Sequence, residues 1–349
     1  MITAATQTPV LSVRGLEKTF TVGGALSRSR VRALGGVDLD IAPGEIVALV
    51  GESGSGKSTL ARCIARLEQP SAGTFLFEGD DIMATQRRRP TRAYRSAVQM
   101  IFQDPFGSLN PVHRVEHFLE RPLRLHGVTG RGPGGRAAMD RAKARLMEKV
   151  GLPAEMLERY PHELSGGQRQ RVAIARALAV DPRLILADEP TSMLDVSVRI
   201  GVLNLMRALC EEQGISMLYI THDLASARYL ADRIVVMFAG EFVESGNAMD
   251  LLAHPAHPYT RLLISAVPDP ARRTPFDPDE RARLRREVLA PTACDHGSAE
   301  SPCDQTSAVF HRVGGSRDHL VRCGRYAPPA DAPGTALQLS SPNDQKGAA

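Results

Sequence analysis

The stretch that decides the fold is Gly51-Glu52-Ser53-Gly54-Ser55-Gly56-Lys57-Ser58-Thr59. It matches the pattern GxxxxGK[ST], in which glycines allow consecutive backbone N–H groups to surround the phosphates of a nucleotide. In that pattern Lys57 reaches the β- and γ-phosphates, and the hydroxyl of Ser58 binds Mg²⁺. We call residues 51–59 the phosphate loop. Chance alone produces the pattern in about one chain in a hundred of this length, so the prediction depends on the flanking sequence.

The flanking sequence predicts a strand before the phosphate loop and a helix after it. Residues 45–50 form a short apolar run rich in β-branched side chains, which is typical of a buried parallel strand. Residues 58–67 carry apolar side chains at helical spacing. The loop therefore lies at a helix N-terminus, where unpaired N–H groups and the helix dipole favour bound phosphate.

Length and composition limit the class of protein. The chain has 349 residues, 43 % of them apolar, enough for two domains or one large domain with attachments. Its longest apolar runs are far shorter than the ~20 residues of a membrane span, and the first ten residues lack the pattern of a signal peptide. The net charge of +4 is small, and basic and aromatic residues form no stripe, so we expect no nucleic-acid partner. Five cysteines argue against a disulfide scaffold and fit a reducing cytosol.

The order of patterns along the chain predicts an α/β fold with two additions. Residues 10–20 and 32–41 alternate as antiparallel strands. Further buried strands are expected at 98–102, 184–187, 215–220 and 234–238. Between about 104 and 181 only helical patterns appear. The fold class is therefore a P-loop NTPase core with an antiparallel β-subdomain and an inserted α-helical subdomain.

The same patterns suggest domain boundaries. We expect an ATP-binding domain at 1–250, with its helical subdomain at about 104–181. A C-terminal extension follows at 251–326, beginning with helical patterns at 248–254 and 259–267. The composition of 327–349 predicts a disordered tail.

Two carboxylates end one predicted strand, Leu184-Ile185-Leu186-Ala187-Asp188-Glu189. At the carboxyl edge of a parallel sheet, Asp188 is suited to hold Mg²⁺ beside Ser58. Glu189 would point differently and could accept the proton of a water that attacks the γ-phosphate. A strand that simply ends in solvated acids is the alternative, and the phosphate loop makes it the weaker one.

Gln103 and His222 follow two other predicted strands, so they are expected at the same edge. The Gln103 amide could reach Mg²⁺ and the attacking water. The His222 imidazole could donate to the γ-phosphate. Alone, the glutamine would be an ordinary surface residue and the histidine a structural one; the neighbouring motifs favour functional roles.

The segment Leu164-Ser165-Gly166-Gly167-Gln168 completes the set, and with it the chain resembles the ATPase subunits of ABC transporters over about residues 10–267. Ser165 suits an N-cap, and the glycines leave backbone amides bare at the start of a helix. The resemblance implies ATP and Mg²⁺ as ligands, ATP hydrolysis, and a second ATPase subunit packed head to tail. Ser165 and Gly167 would then contact the γ-phosphate held by the other subunit. Phe20 matches the aromatic that stacks on adenine; its alternative is a core residue of an edge strand.

Two further segments, residues 102–111 and 257–263, resemble the dipeptide and oligopeptide permease branch of bacterial importers. That resemblance implies uptake of peptides or a related solute through two permease subunits, with an extracytoplasmic solute-binding protein as an indirect partner. It places the chain at the cytoplasmic face of the inner membrane, in a homo- or heterodimer of ATPases. Residues 106–111 are the expected permease contact.

Two other functions are less consistent with the sequence. A soluble ABC-type ATPase acting on nucleic acid or ribosomes would be expected to carry coiled coils, paired CxxC motifs or a second cassette, and none is present. A nucleotide-binding regulator without turnover is disfavoured because Lys57, Asp188, Glu189 and His222 are all intact.

Cys294, Cys303 and Cys323 resemble a tail motif of the same branch, in which four cysteines can hold an iron–sulfur cluster. Only three are present here. A four-iron cluster prefers four thiolates, and His311 is the available substitute for the fourth. We therefore expect ordinary tail cysteines and at most substoichiometric iron.

Overall fold

The computed structural model describes residues 8–23, 29–86, 89–127, 133–266, 310–313 and 318–322, together with 282, 283, 285 and 288. Its strands are β1 (Leu11–Val22), β2 (Ser29–Ile41), β3 (Ile46–Val50), β4 (Ala72–Phe77), β5 (Asp80–Asp81), β6 (Val98–Ile101), β7 (Leu184–Asp188), β8 (Ser216–Thr221), β9 (Arg233–Phe238), β10 (Glu241–Asn247), β11 (His311–Arg312) and β12 (Leu320–Val321).

The helices are α1 (Lys57–Ile64), α2 (Ile82–Thr85), α3 (Arg92–Ala97), α4 (Pro105–Ser108), α5 (Val115–Leu125), α6 (Pro133–Lys149), α7 (Gly166–Leu178), α8 (Val196–Gln213), α9 (Leu224–Leu230), α10 (Ala248–Ala253) and α11 (Pro258–Ser265). Two 3₁₀ turns, Ala154–Glu158 and Pro161–Glu163, precede α7. None of the described helices is both long and apolar enough to cross a membrane.

The main sheet has eight strands in the order β11-β12-β10-β9-β3-β8-β7-β6. Strands β9, β3, β8, β7 and β6 run parallel, and β10, β12 and β11 are added antiparallel. Val50 at the end of β3 is opposite Thr221 at the end of β8, and Asp188 is opposite Ile220. The carboxyl ends of these strands therefore meet at one edge, as predicted for the site residues.

Two cores cover the two faces of this sheet, and β3 shows why. Its five residues are all buried, with alternate side chains on opposite faces. Ala48 belongs to the cluster formed with helices α5, α6, α7 and α8, whereas Leu49 belongs to the cluster formed with α1 and the antiparallel sheet. Each buried Val or Leu contributes roughly 1.5–3 kcal/mol to stability. The phosphate loop thus begins from a strand that is fixed on both faces.

The antiparallel sheet and the helical subdomain have the predicted form. The smaller sheet has the order β2-β1-β4-β5, with β1 and β2 paired antiparallel over nearly their whole length. Within the described residues 104–127 and 133–181, all regular structure is helical. Leu119, Met147 and Val172, from α5, α6 and α7, pack in one cluster. The fold class predicted from the sequence is confirmed.

Several elements differ from the prediction. The strands β4 and β10 and the small pair β11–β12 lie where no strand was predicted. Strand β12 pairs with β10, so part of the extension continues the main sheet. The helix predicted at 259–267 begins one residue earlier, at Pro258, because His257 caps it through Nδ1. The predicted domain boundaries remain predictions.

Candidate active site

The phosphate loop connects β3 to α1 as predicted, and its glycines are required for two different reasons. A Cβ on Gly51 would lie 2.2 Å from the carbonyl oxygen of Met237, and one on Gly56 would lie 2.4 Å from that of Ala33. Gly54 has a φ of +84° but open space around it. Gly51 and Gly56 are therefore required by the protein's own packing, whereas Gly54 keeps the outer surface of the loop free.

Lys57 is the first residue of α1 and is buried. Its Nζ donates to the carbonyl oxygens of Gly51 and Glu52, both at 2.7 Å, and to Ser55 Oγ at 3.3 Å. Burial lowers the pKa of this ammonium, against the attraction of nearby carboxylates, of which Glu189 is the strongest. The phosphate loop therefore surrounds the Lys57 ammonium, and this positive charge lies at the N-terminus of α1.

Ser58 and Asp188 are in direct contact. Ser58 Oγ donates to Asp188 Oδ1 at 2.8 Å, although β8 lies between β3 and β7. Burial raises the pKa of the Asp188 carboxyl, against the lowering effects of the Ser58 hydrogen bond and of Arg62. A hydroxyl and a carboxylate oxygen side by side are ligands that suit Mg²⁺. The structure thus brings together two of the three residues predicted to hold the metal.

Glu189 contacts both Gln103 and His222. Gln103 Nε2 donates to Glu189 Oε2 at 3.0 Å, and His222 Nδ1 lies 3.2 Å from Glu189 Oε1. Glu189 has a φ of +47°, which turns the chain sharply just after β7, and its N–H donates to the Ile220 carbonyl at 2.9 Å. The amide of Gln103 therefore contacts the general-base candidate and not Asp188. Its predicted metal contact remains a prediction.

The segment from Leu164 to Gln168, called here the signature segment, begins α7 as predicted. Ser165 is the N-cap: its Oγ accepts from the Gln168 N–H at 3.3 Å, and Gln168 Oε1 accepts from the Ser165 N–H at 2.9 Å. The reciprocal bond from Gln168 was not predicted, although serine followed three residues later by glutamine is a known capping pattern. A Cβ on Gly167 would lie 2.3 Å from Val198 Cγ1. Ser165 is thus bonded within its own helix turn.

Phe20 lies near the end of β1 and is partly exposed. At this position β1 pairs with Val31 of β2, whereas its pairing with β4 has ended at Glu17. Lys18 Nζ lies 4.6 Å from the centre of the Phe20 ring. Phe20 is absent from both buried clusters, which disfavours the core alternative and leaves the adenine contact as a prediction.

The predicted permease contact, residues 106–111, is held against α7 by a hydrogen bond. Arg176 of α7 donates from Nη1 to the Ser108 carbonyl at 2.8 Å. Leu109 is buried, and the adjacent Val112 is 75 % exposed. The segment is therefore fixed to α7, and an exposed apolar side chain follows directly after it.

Tyr259 is a residue of the site that the sequence analysis missed. Its hydroxyl accepts from the Glu52 N–H in the phosphate loop at 2.8 Å, and its side chain is fully buried. Burial raises the pKa of this phenol to about 12. Only the resemblance of residues 257–263 to a transporter branch could have drawn attention to it.

The tail cysteines Cys294, Cys303 and Cys323 lie outside the described residues. Of their predicted neighbours, His311 is described, in β11. Burial lowers the pKa of its imidazole. Among the described residues no group of three or more His, Cys, Asp or Glu side chains could hold a metal ion.

Two family models match the chain. The model described as "ABC transporter" matches residues 34–192, and "Oligopeptide/dipeptide transporter, C-terminal region" matches residues 243–297. The dipeptide transport ATP-binding protein of Escherichia coli is 40 % identical over 330 residues, which cover 92 % of this chain and 95 % of that protein. The oligopeptide transport ATP-binding protein of Bacillus subtilis is 44 % identical over 279 residues, 80 % of this chain and 87 % of its own.

Solved structures agree with the fold. A dimeric ATP-binding cassette in a post-hydrolysis state, bound to ADP and Pi, has a TM-score of 0.58 at 30 % identity and covers 68 % of this chain and 98 % of its own. CbiO1 of Clostridium perfringens, part of an ABC transporter complex, has a TM-score of 0.59 at 26 % identity over 71 % of this chain and 92 % of its own. The chain therefore belongs to the family of ABC transporter ATP-binding subunits, and it carries the C-terminal region of the oligopeptide and dipeptide transporters.

Proposed function

We propose that this chain hydrolyses ATP to drive the uptake of peptides or a related small solute through separate permease subunits. The observation that carries this proposal is the Glu189 carboxylate, held between Gln103 and His222 beside the Ser58–Asp188 pair. A carboxylate so placed can accept a proton while the neighbouring groups bind phosphate and metal.

Each residue has a defined part in hydrolysis. Lys57 and the backbone amides of the phosphate loop bind the phosphates. Ser58 and Asp188 would hold Mg²⁺, which neutralises charge on the phosphates when it is bound. Glu189 takes the proton of the attacking water, and Gln103 orients its carboxylate. His222 is 59 % exposed at the side chain, so it is free to turn from Glu189 towards the γ-phosphate.

The working site is shared between two subunits. The Ser165 hydroxyl accepts from the Gln168 N–H, which leaves its own proton free to donate. Ser165, through this hydroxyl, and Gly167 would contact the γ-phosphate of a nucleotide held by a second ATPase subunit, identical or different. The first turn of α7 would place the positive end of a helix at the γ-phosphate. The dimeric cassette among the structural neighbours supports this arrangement. Phe20 would stack on the adenine with the face that Lys18 leaves open.

The partners follow from the same assignment. The transporter would contain two permease subunits, and residues 106–111 would contact a coupling helix of the permease. A solute-binding protein outside the membrane would deliver the peptide. The chain would act at the cytoplasmic face of the inner membrane. The C-terminal region, whose family description names oligopeptide and dipeptide transporters, supports peptides as the solute. It also disfavours a soluble ATPase that acts on nucleic acid or ribosomes. We retain the proposal that the three tail cysteines hold at most substoichiometric iron.

Uptake of labelled peptides tests the assignment. A strain that lacks the gene should lose the uptake of at least one class of labelled di- or oligopeptides. Wild-type chain should restore it and Glu189→Gln should not, while the uptake of free amino acids stays constant as the control. Unchanged peptide uptake after deletion, together with ATPase activity that RNA or ribosomes stimulate, would support the soluble alternative.

A further inference from the structure

One peptide group of the phosphate loop lies between two side chains. The carbonyl oxygen of Gly51 accepts from Lys57 Nζ at 2.7 Å, and the N–H of Glu52 donates to Tyr259 Oη at 2.8 Å. Both groups belong to the same planar peptide unit, so whatever fixes the N–H also fixes the direction of the carbonyl. The tyrosine hydroxyl is therefore linked to the lysine through one rigid plane.

Tyr259 is itself held in place on several sides. It lies in the first turn of α11, and its ring centre is 4.5 Å from that of Phe238 at the end of β9. His257 caps the helix by accepting the Tyr259 N–H at Nδ1, 3.1 Å away. Burial lowers the pKa of His257 to about 4, so this nitrogen stays an acceptor at neutral pH. These contacts therefore fix the position of the phenol relative to the phosphate loop.

The start of α11 is held by the buried carboxylate of Glu244. Its two oxygens accept from the N–H groups of Ala256 and His257 at 2.8 and 2.9 Å, and Oε1 lies 2.6 Å from His319 Nε2. A buried carboxylate is stable only with such partners. The contacts thus run from His319, just before β12, to the residues that begin α11 and to the phosphate loop.

We propose that Tyr259 is a positioning residue for ATP binding, because its hydroxyl fixes the Gly51–Glu52 peptide that holds Lys57. Without the hydroxyl, the Glu52 N–H would be left unpaired beside a buried ring, and the peptide could turn to find another acceptor. The Gly51 carbonyl would turn with it, and the lysine would lose one of its two carbonyl partners. The inference rests on the proposed role of Lys57 in binding phosphate.

The neighbouring residue supplies a matched control. Thr260 is fully buried, and among the described residues its Oγ1 has no hydrogen-bond partner. Tyr259→Phe and Thr260→Val each delete one buried hydroxyl from the same turn of α11 while keeping the shape of the side chain. Titration of the full-length chain with a fluorescent ATP analogue and Mg²⁺ should show binding about tenfold weaker for Tyr259→Phe, the effect of one lost hydrogen bond. Thr260→Val should stay within about twofold of wild type, because in the described part of the chain Thr260 Oγ1 makes no hydrogen bond that the change would break.

A double-mutant cycle separates positioning from a general loss of stability. Two residues that act through one contact give less than additive effects. In a Lys57→Ala background, with the titration extended into the millimolar range, Tyr259→Phe should change the Kd by less than about twofold. A partly unfolded variant would instead weaken binding equally in both backgrounds, so the cycle decides even if Tyr259→Phe lowers the melting temperature.

The possible failures point to different conclusions. Equal Kd values for Tyr259→Phe and Thr260→Val, or the same fold-change with and without Lys57, would overturn the role of Tyr259 and leave the proposed function intact. If Lys57→Ala alone binds the analogue as tightly as wild type, the proposed phosphate site itself is wrong.

Discussion

The Gln103 amide donates a hydrogen bond to the Glu189 carboxylate, with 3.0 Å between Gln103 Nε2 and Glu189 Oε2. The two residues follow neighbouring parallel strands, β6 and β7, and stand 86 positions apart in the chain. The bond joins the start of the helical subdomain to the residue proposed to activate water. Movement of the segment after Gln103 would therefore reach the Glu189 carboxylate directly.

Replacing Glu189 with Gln should separate ATP binding from turnover. The amide keeps the shape of the side chain and can still accept from Gln103, but it cannot take the proton of the attacking water, a role worth roughly 10² to 10⁴ in rate. Binding of ATP should be near normal, and the ATP-bound dimer should accumulate. Single-turnover hydrolysis measures the chemical step, and Glu155→Gln, an exposed position in the turn before α7, is the control. A near wild-type rate in Glu189→Gln would remove Glu189 from the mechanism.

Ser165→Arg should spare nucleotide binding at the subunit's own phosphate loop and abolish hydrolysis across the interface. The substitution breaks the cap with Gln168 and fills the start of α7 with a bulky cation. If the working pair is a homodimer, mixing this variant with Lys57→Ala restores one intact composite site per heterodimer. The ATPase rate of the mixture should therefore exceed that of either variant alone. No recovery, with mixed dimers shown to form, would count against the head-to-tail arrangement.

Two glycine variants should affect different properties. Gly51→Ala places a Cβ 2.2 Å from the Met237 carbonyl, so the free energy of unfolding should fall by about 1–3 kcal/mol from overpacking in addition to backbone strain. Gly54→Ala meets no neighbour and carries only the cost of its positive φ, about 1–2 kcal/mol. Urea unfolding measures the stability of both variants. Gly54→Ala should also weaken ATP binding, because the added methyl group would cover backbone amides of the phosphate loop. Equal stability of the two variants would show that β9 can move away from the added methyl group with no loss of unfolding free energy.

The sequence predicted the parallel strands well because each is a short apolar run that ends in polar or turn residues. Predicted bounds for β3, β7, β8 and β9 differ from the observed ones by at most one residue at each end. Strand β10 was missed because its sequence, Glu241-Phe242-Val243-Glu244-Ser245-Gly246-Asn247, has no clear alternation. Its buried Glu244 is explained only by partners at Ala256, His257 and His319, which stand 12, 13 and 75 positions further along the chain.

The site residues were predictable to the extent that motifs define them. The contacts of Ser58 with Asp188, and of Glu189 with Gln103 and His222, follow once the strand ends share one edge. Tyr259 was not predictable in this way, since it meets Glu52 across 207 positions of chain. A buried hydroxyl that serves a backbone N–H leaves no pattern in the sequence around either residue.

Asp188→Asn should stabilise the chain without nucleotide at neutral pH and weaken its Mg²⁺-dependent binding of ATP. Burial raises the pKa of Asp188, so stability falls as the pH rises from the ordinary pKa to the raised one, and the full penalty of the ionised carboxylate is present above the raised value. The neutral amide removes this penalty and still accepts from Ser58. As the pH falls through the raised pKa, wild-type Asp188 takes up its proton, so the advantage of the variant should shrink and be gone below the ordinary pKa of an aspartate. Urea unfolding of both chains from pH 3 to pH 8 measures the difference, and an advantage that instead grows towards low pH would contradict the argument.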